Sequence, residues 1–242
     1  MEIEARGNGT RNSDYDHGLR LAPGEDRIEE KVCEKDMITR YGNPDAGMVL
    51  IQMVDEHELE GLESEIAEIR KRTDRPFSLL AVRVRSWNRD LSPWLAPAVF
   101  GREDFGEGAA ETLAEVLEVC TAPDKTYLLG GYSLAGLFAL WAACQTKRFK
   151  GIAAASPSVW FPGFAEYIRE NRIQADVVYL SLGDREERTR NPVMASVGNR
   201  IREAYQLLCD QGIRTTLEWN EGNHFRDADL RMAKAFAWTM EQ

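Results

Sequence analysis

The sequence predicts an α/β fold with a mostly parallel central sheet and helices on both faces. Three observations predict it. From residue 47 onward, short apolar runs alternate with segments whose apolar residues recur at helical spacing. The runs are bounded by Gly, Pro, Asn and Asp, as strands joined to helices by tight turns should be. The chain has 242 residues, 43% hydrophobic and 29% charged, a size and balance that fit one globular α/β domain.

Taken in order, Met37–Tyr41 is a short strand-like piece, closed by the turn residues Gly42-Asn43-Pro44-Asp45. The packed domain is expected to begin at Met37 and run to residue 242. Residues 1–36, rich in Gly, Asn, Asp, Glu and Arg, read as a peripheral or flexible extension. Met48–Val54 is a strand. Leu59, Leu62, Ile66 and Ile69 then mark a helix over Glu58–Arg72, with Glu and Arg on its other face. Phe77–Val84 is a second buried strand, followed by a long loop over Arg85–Gly106. Ala109–Cys120 is a helix with Leu113, Val116 and Leu117 on one side. Thr126–Gly130 is a strand that runs into Gly131-Tyr132-Ser133-Leu134-Ala135-Gly136, and Leu137–Thr146 is an apolar helix.

The alternation continues with a strand at Gly151–Ala155, a helix at Gly163–Asn171 and a strand at Asp176–Leu182. Ala195–Gln211 is a helix with Val197, Ile201, Ala204, Tyr205 and Leu208 inward. Thr215–Trp219 is the last strand, and Asp229–Met240 the final helix. Strand–helix alternation of this kind builds βαβ units and a sheet covered on both sides.

Several function classes are disfavoured. Thirty Lys and Arg against forty Asp and Glu give a net charge of −10, the wrong sign for binding nucleic acid through its phosphates. No apolar stretch approaches the ~20 residues of a membrane span, and the polar N-terminus lacks the apolar core of a signal peptide. Cys33, Cys120, Cys144 and Cys209 are widely spaced, with no CxxC pair, so neither structural zinc nor a disulfide framework is expected. The expected setting is cytoplasmic. With no secretion expected, the Asn8-Gly9-Thr10 sequon reads as a chance match.

Ligands of such sheets bind beyond the C-terminal ends of the strands, and Ser133 stands at one. It follows a strand, precedes an apolar helix and is flanked by Gly131, Ala135 and Gly136. A tight turn needs small residues there, and the helix N-terminus favours negative charge developing at the serine. A nucleophilic serine needs a base, and the chain has three histidines. His17 lies in the extension, and His57 opens a helix as a surface or capping residue. His224, in Glu221-Gly222-Asn223-His224-Phe225 directly after the last strand, is the base by elimination and position. The acid that orients it should follow the preceding strand, where Asp184, Glu186 and Glu187 all qualify by spacing.

Strand order, the serine turn, the acid cluster and His224 together resemble the α/β-hydrolase superfamily. Within it they are similar to the small esterases without a large cap, the branch of esterase D and the enterochelin esterases. The resemblance covers residues 37–242. It implies a triad of Ser133, Glu186 and His224, because the branch often carries the acid three residues after a strand-ending glycine, here Gly183; Asp184 is the reserve. It also implies an oxyanion hole from the Leu134 amide and a second amide at Asp55 or Glu56, after Met48–Val54. Many members have glycine at the place of Ala135, and the usual His-Gly is replaced by Val54-Asp55-Glu56-His57.

Trp87, Trp160 and Phe161 are candidate substrate contacts, and aromatic walls with few cations suit an apolar or aryl acyl group. The expected activity is hydrolysis of a small-molecule carboxylic ester through an acyl-enzyme, without metal or organic cofactor. An acyltransferase or thioesterase would use the same residues. A silent binding protein would be expected to have lost one of them. A metal site at His57 with Glu58 or Glu60 is disfavoured, since these read as an acidic helix face.

Overall fold

A computed structural model describes residues 37–242; the expected extension over residues 1–36, with Cys33 and His17, lies outside the described residues. Among the described residues, seven strands form one sheet in the order β1-β3-β2-β4-β5-β6-β7. They are β1 (Ile38–Gly42), β2 (Met48–Val54), β3 (Phe77–Arg83), β4 (Thr126–Tyr132), β5 (Phe149–Ala155), β6 (Val177–Gly183) and β7 (Arg214–Asn220). Only β1 is antiparallel, paired with β3. The others run parallel, so their C-terminal ends share one edge of the sheet.

Parallel strands need helical crossovers, and these cover both faces. On one face, α1 (Glu56–Arg70) and α8 (Ala228–Met240) pack on Leu50, Val54, Leu79 and Leu128. On the other lie α3 (Ala109–Val119), α4 (Leu134–Gln145), α5 (Phe164–Glu170) and α7 (Val197–Asp210), over Ile51, Met53, Leu129 and Ile152. Alternate residues of β2 thus serve two separate cores, as the period-2 geometry of a strand requires. Among the described residues, no helix is long and apolar enough to cross a membrane.

Some boundaries differ from those expected, each for a local reason. The first helix starts at Glu56 rather than Glu58 because Asp55 caps it. The Asp55 carboxylate accepts the Glu58 amide at 2.7 Å, and the Glu58 carboxylate accepts the Asp55 amide at 3.2 Å, a reciprocal capping box. The long loop after β3 contains a short helix, α2 (Trp87–Asp90). Before α7, Pro192–Ala195 forms a separate turn of helix, α6, whose first amides are taken by the Asn191 side chain. The apolar helix after β4 begins at Leu134, immediately behind Ser133, and not at Leu137.

Candidate active site

The turn between β4 and α4 bends sharply at Ser133, whose φ of 56° and ψ of −119° lie where a residue with a side chain is strained. The turn closes only because its neighbours are small. A Cβ on Gly131 would stand 2.5 Å from the Cβ of Ala135, so the alanine methyl occupies space the glycine leaves open. The departure from glycine at Ala135 is therefore absorbed within the turn. The Ser133 amide donates to Ala155 O on β5 at 3.2 Å, and its carbonyl accepts from the Ser158 amide at 2.9 Å, fixing the serine to two neighbouring segments.

Three expected residues come together here. Ser133 Oγ lies 3.0 Å from His224 Nε2. His224 Nδ1 lies 2.7 Å from Glu186 Oε2. The other Glu186 oxygen accepts the Gly183 amide at 2.7 Å and the Ser156 hydroxyl at 2.8 Å. Glu186 is buried, with a side chain only 4% exposed. Burial alone would raise its pKa, but the hydrogen bond and charge of His224, with those from Gly183 and Ser156, outweigh it and hold the carboxyl below its usual range.

The neighbouring acids go elsewhere. Asp184 faces outward, accepts the Gly222 amide at 2.8 Å and borders Arg185. Glu187 points to Arg202 on α7 at 3.4 Å. His57 is exposed on the surface of α1, 3.9 Å from Glu60, with no part in the serine cluster.

The oxyanion expectation divides. Leu134 is the first residue of α4, so its amide has no acceptor within the helix. Asp55 is corrected: its amide is occupied by the Glu58 carboxylate in the capping box. Glu56, the first residue of α1, retains a first-turn amide at the end of β2, and β2 lies beside β4 in the sheet.

The aromatic candidates lie mostly within the core. Phe161 is 2% exposed and Trp160 8%, and both are packed with Phe105. Trp94 joins them edge-on at Phe161 and donates its indole N–H to Pro162 O. This cluster ties the loop after β3 to the segment after β5. Trp87 is half-buried against the same core. Phe100, edge-on to Trp160, and Phe225, 88% exposed and edge-on to His224, do reach solvent.

Residues that sequence reasoning missed stand behind the histidine. Tyr132, next to the serine, donates to His224 O at 2.8 Å. Burial, as the largest influence, pushes its phenol up to about 12, which keeps the proton in place. Ser158 Oγ lies 3.3 Å from Ser133 Oγ. Arg231, on α8, reaches Glu186 Oε1 at 2.8 Å. In sequence it reads as one more helix charge, and only its amphipathic misfit on the buried face gives a signal.

Sheet order, the strained serine and the helices on both faces define an α/β-hydrolase fold. No family model matches the chain, and no curated protein matches it. Solved structures do. The siderophore hydrolase EstA from Aspergillus nidulans superposes with a TM-score of 0.65 at 16% identity, over 96% of this chain and 100% of that one. An IroE-like serine hydrolase from Shewanella oneidensis gives 0.66 at 14%, over 83% of this chain and 74% of the other. The enterobactin esterase FES from Shigella flexneri gives 0.57 at 13%, over 90% and 62%. At these identities the likeness is one of fold.

Proposed function

We propose that the chain is a serine hydrolase that cleaves a carboxylic ester, with Ser133 as nucleophile, His224 as base and Glu186 as the acid that orients it. The observation that carries this reading is the continuous hydrogen-bonded path from Ser133 Oγ through both imidazole nitrogens to a buried carboxylate, at 3.0 and 2.7 Å. The fold it shares with solved structures named as esterases and siderophore hydrolases supports an ester as the substrate.

In the proposed reaction, Ser133 Oγ attacks the ester carbonyl carbon while its proton passes to His224 Nε2. The carbonyl oxygen becomes an oxyanion, held by the amides of Leu134 and Glu56 at the N-termini of α4 and α1. Collapse of the intermediate breaks the bond to the alcohol, which leaves with the proton from His224. Water then repeats the sequence on the acyl-serine and releases the acid. The strained backbone of Ser133 places Oγ in advance of the attack, so little reorganisation is needed.

The test is pre-steady-state hydrolysis of p-nitrophenyl acetate and butyrate. The reading predicts a burst of p-nitrophenol stoichiometric with enzyme, absent in Ser133→Ala. A folded wild type without burst or turnover on a panel of aryl and alkyl esters would contradict it.

A further inference from the structure

A positive side chain one turn into a helix sits at the wrong end of the helix dipole, where anions are favoured. Arg231 occupies such a place in α8, and it is 1% exposed. Burying a cation is costly unless it is paired and well hydrogen-bonded, so its surroundings carry information. Nη1 reaches Glu186 Oε1 at 2.8 Å, Tyr132 Oη at 3.0 Å and Ser156 Oγ at 3.1 Å. Nη2 donates to Asn223 O at 2.9 Å and Glu221 O at 3.2 Å. One guanidinium thus touches the orienting acid, the residue before the nucleophile and the loop on which His224 stands.

We infer that Arg231 is a positioning residue for the proposed reaction, holding the Glu186 carboxylate and the His224 loop in register and balancing the charge of that buried carboxylate. The inference rests on the reading of Ser133, Glu186 and His224 as a triad. Its geometric part follows from the fork. The two nitrogens grip the acid and the loop at once, so neither can shift without losing a charge-assisted hydrogen bond. Its electrostatic part follows from the shared carboxylate. Glu186 faces Arg231 on one oxygen and His224 on the other, and the guanidinium opposes a second positive charge on the imidazole.

Other charges on the packed elements are directed away. Asp184 borders Arg185, while Arg226 pairs with Glu221 and Asp227 at the surface. The remaining groups facing the pair are neutral: the hydroxyls of Tyr132, Ser133 and Ser156 and the Gly183 amide.

The experiment compares ester hydrolysis by wild type, Arg231→Met and Arg231→Lys across pH, with circular dichroism and thermal melting as folding controls. Arg231→Met keeps bulk and loses charge. It should lower kcat about tenfold to a hundredfold through misplacement of the histidine, with little change in KM. The acid limb of its rate profile should move to higher pH, because a neighbouring positive charge is gone. Arg231→Lys keeps charge and loses the fork. It should show reduced kcat with the acid limb where wild type has it.

A folded Arg231→Met with wild-type kcat, or with reduced kcat and an unmoved acid limb, would overturn the inference. Should Arg231→Met fail to fold, Arg231→Lys decides: reduced kcat with an unmoved limb supports it, and wild-type kcat overturns it. A wild type with neither burst nor turnover on the ester panel removes the triad reading itself, a failure seen before any Arg231 variant is measured.

Discussion

Glu186 Oε2 meets His224 Nδ1 at 2.7 Å, while Asp184, two residues earlier, turns outward to accept the Gly222 amide. The two acids lie on one tight turn after β6, yet only one faces the imidazole. Glu186→Gln should therefore lower kcat by about 10³–10⁴-fold, as expected when a histidine loses the anion that fixes its tautomer. Asp184→Asn keeps an oxygen for the Gly222 amide and should leave kcat within roughly threefold, in the range of ordinary surface changes. Ester kinetics on both variants separate the roles, and the reverse ranking would move the acid to Asp184.

Gly183 ends β6 beneath this acid. A Cβ there would lie 2.4 Å from Gly222 O and 2.9 Å from both Glu186 Oε1 and Arg231 Nη2. Backbone and a buried ion pair cannot give way cheaply, so Gly183→Ala should lower the melting temperature and ester turnover together. Gly61, within α1, is the control: nothing lies within 4 Å of its added Cβ. Gly61→Ala should stabilise by about 0.5–1 kcal/mol from helix propensity and leave turnover unchanged. Equal effects from the two substitutions would refute the packing argument.

Stability should fall as pH rises from mildly acid to mildly alkaline. Glu65 is 3% exposed, and burial, opposed by the Gln52 hydrogen bond and aided by the charges of Glu58 and Asp229, raises it well above 4.5. Gln52 Nε2 donates to Glu65 Oε2 at 3.1 Å, and the remaining buried oxygens of the pair lack a donor that a proton on Glu65 would supply. Glu58 is pushed up to about 8, first by burial and then by the charge of Asp55. The folded chain thus holds these protons to higher pH than the unfolded chain does. Their contribution is complete below the unfolded value of 4.5 and is lost as pH rises through the folded values. Thermal melting from about pH 5 to about pH 8 should show the decline, and Glu65→Gln should flatten it. An unchanged slope in that variant would contradict the assignment.

The capping box at Asp55 links stability to the proposed oxyanion hole. Asp55→Ala removes the acceptor for the Glu58 amide and should cost about 1 kcal/mol. Because Glu56 is the first residue of α1, fraying there should also displace its amide and lower kcat more than KM rises. A stability loss with unchanged kcat would take Glu56 out of the hole.

Much of this was legible in the sequence because its causes are local. Ser133 is marked by a strand, small neighbours and an apolar helix, and His224 by the shortage of histidines and its place after the last strand. The acid was ambiguous because Asp184, Glu186 and Glu187 share one turn, and side-chain direction there depends on contacts with Ser156 and Arg231 from two distant segments. Asp55 and Glu56 were inseparable until the capping box assigned one amide. The burial of Trp160 and Phe161 is not legible, because aromatics after a strand read alike whether they pack inward or face a ligand. The role of Arg231 shows in sequence only as a charge on an apolar helix face, because its partners lie up to 99 residues away.

The most direct test of the central claim is labelling with a fluorophosphonate probe, followed by mapping of the modified peptide. The account predicts a single adduct on Ser133 in wild type, and none in either Ser133→Ala or His224→Ala under the same conditions. An adduct on another residue, or undiminished labelling in His224→Ala, would contradict it.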